Sequence, residues 1–328
     1  MNRLKGTCCL VTGGAGFIGS TIVDQLLKAG ASEVRVLDNF VRGSWNNLSL
    51  AMRHAGVTVT EGDICDAGLV ERLTVDVDYV FHQAALRITR CAEAPREAVA
   101  VLINGTLNVL EAAANHNVNK VIAASSASVY GEPSYLPIDE AHPFNNRTMY
   151  GAGKIATEQM LRAMHDTHGL KYVALRPFNV YGPRMDTTGA YTEVLIRWLD
   201  AIDNGTSPLI FGDGQQAMDF VYVEDVARAN LIAACSDVND DVFNVGTGVQ
   251  TSLNELCCMV LDLTESPLVP EYREARKVGH VQKRRAALDK AETMLGFRAD
   301  VTLEQGLGGL IRWREALRTT AVVPMEAR

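Results

Sequence analysis

The chain has 328 residues and a net charge of −8, with 47% hydrophobic and 21% charged residues. That length is too great for one small core and fits one large α/β domain or two lobes, while the composition excludes disorder and collagen-like repeats. The acidic balance argues against a nucleic-acid partner, because phosphate contacts need a basic face.

In chain order, "CCLVTGG" reads as a buried strand and "GSTIVDQLLKAG" as a helix closed by Gly30. "EVRVLDNF", "VTVTEGDI" and "VDYVFHQAA" are the next three strands. "LINGTLNVLEAAANHN" is a long helix and "KVIAASSASVYG" a fifth strand. "YGAGKIATEQMLRAMHDTHG" and "KYVALRPFNVYG" continue as helix and strand. Such alternation predicts a parallel sheet with helices on both faces. Beyond Gly182 the texture becomes irregular. Residues 1–180 are expected to form the first domain, with the chain returning to it around 218–248. Residues 181–217 and 249–328 are expected to form a smaller lobe.

No run reaches eighteen apolar residues, so no membrane span is expected. The apolar part of "MNRLKGTCCLVTGG" is too short for a secretory signal. Seven cysteines without a CxxC pair predict buried free thiols in a reducing cytoplasm.

"VTGGAGFIGS" places Gly13, Gly16 and Gly19 between strand and helix. Glycines there allow a tight turn and close approach of backbone to a pyrophosphate, and the helix start at Phe17 and Ile18 supplies free N–H groups. Asp38 follows at the end of the second strand. A carboxylate there accepts from ribose hydroxyls and repels a 2′-phosphate, which favours NAD over NADP. Asn39 and Arg42 follow Asp38. Asp63 and Ile64 end the third strand, and Gln83, Ala84 and Ala85 end the fourth, where small residues let backbone approach the dinucleotide. His82 alone reads as structural.

Tyr150 and Lys154 stand four apart on a predicted helix and share a face. A nearby ammonium and a nicotinamide ring would favour the phenolate, so Tyr150 could take a proton from a substrate alcohol. Lys154 could also hold the nicotinamide ribose, and a hydroxyl from the fifth strand would complete the path.

The ordered motifs "TGGAGFIGS", "DNF", "GDI", "HQAA", "NGT", "SSASVYG", "YGAGK", "RPFNVYGPR", "GDGQQAMDFVYVEDV" and "NVGTG" span nearly the whole chain. Together they resemble the extended short-chain dehydrogenase/reductases that act on nucleotide sugars, most of all UDP-sugar 4-epimerases. The resemblance implies an α/β, Rossmann-like doubly wound parallel sheet with a smaller C-terminal substrate-binding lobe, and bound NAD. It implies that Ser126 is the catalytic hydroxyl, with Ser125 a less favoured stand-in, beside Tyr150 and Lys154. Related dehydratases carry Asp-Glu at the next two positions, and related decarboxylases usually a Glu at the second; here these are Ala127 and Ser128. The resemblance then points to oxidation and re-reduction at one carbon, which is epimerisation. A decarboxylase, a dehydratase, a ketosugar reductase and a non-catalytic dinucleotide sensor remain as alternatives.

On the substrate side, the resemblance assigns Asn179 to the diphosphate and places Arg184 just beyond it. Val194 and Phe211 resemble the nucleoside pocket. The family's usual Arg before the Asp of "RDF" is Met218 here, so the diphosphate would lean on Lys277, Arg276 or other cations. A later family Asp is replaced in Ala286-Ala287. Arg284 falls near the position that sizes the pocket, and Arg87 near the sugar; two arginines there could suit a carboxylated sugar or contact phosphate. A UDP-sugar partner and, by analogy, a homodimer paired through helices near 97–116 and 150–168 are expected.

Overall fold

A computed structural model describes residues 2–187, 193–275 and 281–321. Its strands are β1 (Cys8–Thr12), β2 (Glu33–Asp38), β3 (Val57–Glu61), β4 (Tyr79–His82), β5 (Lys120–Ala124), β6 (Tyr172–Pro177), β7 (Asn179–Tyr181), β8 (Leu209–Phe211), β9 (Ala217–Met218), β10 (Phe220–Tyr222), β11 (Asp241–Val245), β12 (Thr251–Ser252) and β13 (Glu271–Arg273). The helices are α1 (Phe17–Lys28), α2 (Ala67–Thr74), α3 (Ile88–Glu93), α4 (Pro95–Val99), α5 (Thr106–Asn115), α6 (Met149–His168), α7 (Val194–Asp203), α8 (Val223–Cys235), α9 (Leu253–Leu263) and α10 (Leu303–Ala321).

One seven-stranded parallel sheet runs β11-β6-β5-β4-β1-β2-β3. Strand order reverses between β1 and β4, so the loops leaving them diverge and open a crevice at the carboxyl edge. Both faces are covered, which is why the central strands read as unbroken apolar runs. On one face Ile22 and Leu26 of α1 join Val226 and Ala227 of α8. On the other, Val70 of α2, Val109 of α5 and Leu161 of α6 form a second core. A third core gathers Leu195 and Trp198 of α7, Leu256 and Val260 of α9, and Leu307 and Leu310 of α10.

Three expected boundaries move. The fifth strand stops at Ala124, because the Ser126 hydroxyl accepts from Ser128 N at 3.1 Å and caps a short 3₁₀ turn, Ala127–Tyr130. A serine side chain here offers the backbone an alternative to the ladder. The strand expected through "RPFNVYG" breaks after Pro177, and its second part, β7, pairs with β10. The helix expected to start at Leu102 begins at Pro95 and passes through a π-helical stretch, Ala100–Gly105, into α5. There Gly105 lies so close to Ile64 that a Cβ would sit 2.7 Å from its side chain.

The run Pro95–Asn115 is long and apolar enough to cross a membrane by composition, yet its inner residues Ala98, Leu102, Val109 and Leu110 are packed inside the protein. All seven cysteines are free, but only Cys9, Cys91 and Cys257 are buried; Cys8 and Cys235 are half-buried and two more are exposed. Cys65 is exposed in the loop after β3, and Cys258 faces outward on α9 beside inward-facing Cys257.

Candidate active site

The loop between β1 and α1 is held against the exit of β4. Gly13 has φ +68°, and a Cβ on it would meet Ala84 N at 2.7 Å. A Cβ on Gly19 would run into the Gly13 carbonyl. Gly16 caps α1 without any side-chain bond, so the first-turn N–H groups at Phe17, Ile18 and Gly19 keep a positive end toward the crevice. The side chains of Phe17 and Ile18 pack into the cores, which leaves their backbone for a ligand.

Asp38 ends β2 and is buried. Its carboxylate accepts from Ala15 N and Phe40 N, each at 2.9 Å. Burial raises its pKa, and these backbone donors oppose the rise. A carboxylate has about four acceptor sites, so capacity for hydroxyl donors remains. Asn39 donates to Asp63 at 2.9 Å, so two loop ends meet beside buried Ile64. Gln83 instead bonds Asn230 of α8 at 3.0 Å, and Ala84 N points to the Thr12 hydroxyl at 3.4 Å. His82 lies between Thr12 and Thr106 at 2.8 and 3.1 Å, and burial drives its pKa down to about 3. It is a neutral bridge between strand and helix.

Ser126, Tyr150 and Lys154 converge at the ends of β5 and α6. Thr148 caps α6 by accepting from Gly151 N at 3.1 Å, which fixes the first turn that carries Tyr150. The phenol ring packs beside Ala85, Leu86, Cys91, Ala98 and Leu102. Lys154 is 4% exposed, its ammonium donates to the Ala124 carbonyl, and it stands 5.7 Å from the Tyr150 ring centroid. Burial lowers the Lys154 pKa to about 8, partly offset by Cys91 and Glu158. Burial raises that of Tyr150, while the Ser126 hydroxyl and the Arg42 charge pull it down. Ser126 is the first group favouring the phenolate, and the Lys154 ammonium, held by backbone, stands close by.

Ser125 turns the other way. Its hydroxyl donates to Glu158 in a buried network, where Arg176 also grips Glu158 at 2.8 and 2.6 Å. The same guanidinium donates to the Tyr130 hydroxyl at 2.8 Å, which donates to Asn244 at 2.6 Å. This removes Ser125 as a stand-in for Ser126. Ala127 is buried among Val129, Tyr130, Ile138 and Phe178, and Ser128 bonds Ser126 at 3.1 Å.

Arg42 and Arg87 converge on Asp186, with Arg42 at 3.4 Å. Sequence reasoning singled out both cations but missed this shared carboxylate, whose only signal was an acid in "PRMDTTG".

A profile of the NAD dependent epimerase/dehydratase family matches residues 9–246. The chain belongs to that family. A putative UDP-glucose 4-epimerase of Methanocaldococcus jannaschii is 38% identical over 93% of this chain and 97% of its own length. Among solved structures, UDP-N-acetylglucosamine 4-epimerase of Methanobrevibacter ruminantium, in complex with UDP-N-acetylmuramic acid, aligns with a TM-score of 0.91. That match is 36% identical over 95% of this chain and 99% of the other. UDP-glucose 4-epimerase of Thermotoga maritima with UDP-glucose gives 0.88 at 36% identity, covering 94% and 99%.

As a member of this NAD-dependent family, the chain has a cradle that fits the dinucleotide. Gly13 and Gly19 let the loop fold tightly against β4 and itself, the α1 N-terminus is uncapped, and Asp38 closes the ribose end. The substrate candidates are less gathered. Asn179 is half-buried on β7 and its N–H bonds Asp219 O at 3.0 Å. Val194 opens α7 and Phe211 ends β8. Arg184, at φ +73°, is drawn to Asp24 of α1 at 2.6 Å and does not join the others, because that half-buried carboxylate already holds one side of its guanidinium. Arg276 and Lys277 lie outside the described residues. Asp219, following Met218, accepts from Thr247 N, Thr247 Oγ1, Gly248 N and Ala286 N at 2.7–3.1 Å, so it pins two loops together.

Proposed function

We propose that the protein is an NAD-dependent 4-epimerase of a UDP-hexose of the glucose, N-acetylglucosamine or glucuronate type. The observation that carries this is the meeting of Ser126, Tyr150 and Lys154 where positions 127 and 128 hold no acid. Ala127 sits in an apolar pocket and Ser128 is spent on Ser126. Neither can perform carboxylate acid–base work on the rest of the sugar. Proton transfer at one hydroxyl is what the residues support.

Bound NAD supplies a reversible hydride acceptor. The first-turn N–H groups of α1 and the Asp38 carboxylate would hold it, with Lys154 at its nicotinamide end. Tyr150 removes the proton of the 4-hydroxyl and returns it after the sugar turns over. Ser126 hydrogen-bonds the same oxygen and stabilises the phenolate. Lys154 supplies positive charge in a site shielded from water, where Coulombic stabilisation is strong.

Proton NMR of purified protein with UDP-glucose, UDP-N-acetylglucosamine or UDP-glucuronate tests this without added cofactor. The galacto-configured product is expected from at least one sugar. A 4-keto product or carbon dioxide would replace epimerisation with dehydration or decarboxylation.

We also infer a homodimer paired through the helices near 97–116 and 150–168. Val99, Leu107 and Met149 are exposed on these helices, at 40%, 37% and 39%. Light scattering after size exclusion should give twice the 35.6 kDa chain mass; a monomer at micromolar concentration would refute the pairing.

A further inference from the structure

Arg284 stands out among the arginines of the described residues. Its Nε is shut off from solvent and has no hydrogen-bond partner, and among the described residues its guanidinium makes no ion pair. Other deeply placed arginines have a carboxylate: Arg176 has Glu158, Arg314 has Asp200 and Asp203, and Arg184 has Asp24 although its Nη1 is also unbonded. Enclosing a guanidinium N–H without an acceptor is costly, so a half-buried arginine held this way gains something else from it.

Its surroundings indicate what that is. The backbone N–H of Arg284 donates to the Ala217 carbonyl at 3.0 Å, beside Met218, which brings no charge. Two residues on, Ala286 packs with Ala127, Val129 and Phe178 under the turn that Ser126 caps. The carboxylate acting on Arg284 is Glu132, just past that turn. Burial pulls the Arg284 pKa down and Glu132 only partly restores it. The segment therefore brings an incompletely neutralised cation to the edge of the catalytic turn.

We infer that Arg284 binds an oxyanion of the nucleotide sugar. The inference rests on the function proposed above. A planar guanidinium suits two-point binding of either phosphate or carboxylate. The oxyanion is therefore the diphosphate or a carboxylate on the hexose, and the ligands below separate the two.

The test is calorimetric binding of UDP, UDP-glucose and UDP-glucuronate to NAD-loaded wild type, Arg284→Gln and Arg284→Lys. UDP-glucuronate carries both oxyanions, and Arg284→Gln is expected to bind it at least about tenfold more weakly. Arg284→Lys should recover part of the loss. Equal weakening for UDP and UDP-glucose assigns the diphosphate; weakening confined to UDP-glucuronate assigns the carboxylate. Unchanged dissociation constants for all three ligands overturn the inference. Failure of the wild type itself to bind any of them removes the proposed function, and the inference with it. A thermal melt without sugar adds an independent readout. Because a half-buried charge with an enclosed, unbonded Nε is removed, Arg284→Gln should melt no lower than wild type. A lower melting temperature with unchanged binding would make Arg284 a structural residue.

Discussion

Tyr150→Phe is expected to lower turnover by about 10²–10⁴-fold, the range that one positioned acid–base group contributes. The variant should keep its NAD. Phenylalanine preserves the ring that packs beside Leu86, Cys91 and Leu102, so the helix start and the cofactor cradle have no reason to move. What is lost is the hydroxyl that meets Ser126. The measurement is single-turnover epimerisation, with NAD released by denaturation and quantified by absorbance. Wild-type turnover in Tyr150→Phe would remove the tyrosine from its role. Turnover and NAD lost together would mean that the hydroxyl holds the cofactor site in place. The pH profile adds a sign. Lys154 is protonated below its pKa of about 8, and burial has brought it there. kcat/KM reports ionisations of the free enzyme, so it should decline as pH rises through about 8. A profile flat to pH 10 would mean that the Lys154 charge is not needed.

The relation of Tyr150 to Lys154 was legible because a local rule places them, whereas Ser126 came from the family resemblance. A four-residue spacing puts Tyr150 and Lys154 on one helix face whatever the rest of the fold does. Gly13, Gly19 and Asp38 were legible for the same reason, since a strand, a turn and a helix in succession fix their relation. The seven-strand sheet followed from alternation of short apolar runs with amphipathic ones.

The parts that escaped depend on distant partners. Glu158 and Arg176 are eighteen residues apart and meet only because α6 lies across β6. Arg42 and Arg87 reach Asp186 across 144 and 99 residues. Periodicity carries no trace of such pairs. The end of the fifth strand escaped for another reason. "SSASVYG" has the apolar and hydroxyl content of a strand, and only the geometry of the Ser126 cap shows that the chain turns there. That turn separates the two serines. Ser125 goes into the buried network and Ser126 goes to Tyr150.

The network around Ser125 leads to the largest expected loss of stability. Arg176 and Glu158 are 3% and 2% exposed, and their ion pair is bidentate. Arg176→Met would leave the Glu158 carboxylate buried with only the Ser125 hydroxyl as donor, and would strip Tyr130 of its donor. Removing one partner of such a pair costs about 3–5 kcal/mol, most of it the uncompensated charge. Replacing both should cost far less, because an apolar pair of similar volume avoids that charge. Urea unfolding of Arg176→Met, Glu158→Leu and the double variant closes the cycle. The double variant should recover most of the loss suffered by Arg176→Met; additive losses would show that the two residues contribute separately. Activity separates stability from catalysis. Glu158 raises the proton affinity of Lys154 one helical turn away, so its removal should move the alkaline decline of kcat/KM to lower pH. That displacement should persist in the double variant after stability returns. A decline still near pH 8 would confine Glu158 to holding β5, α6 and β6 together.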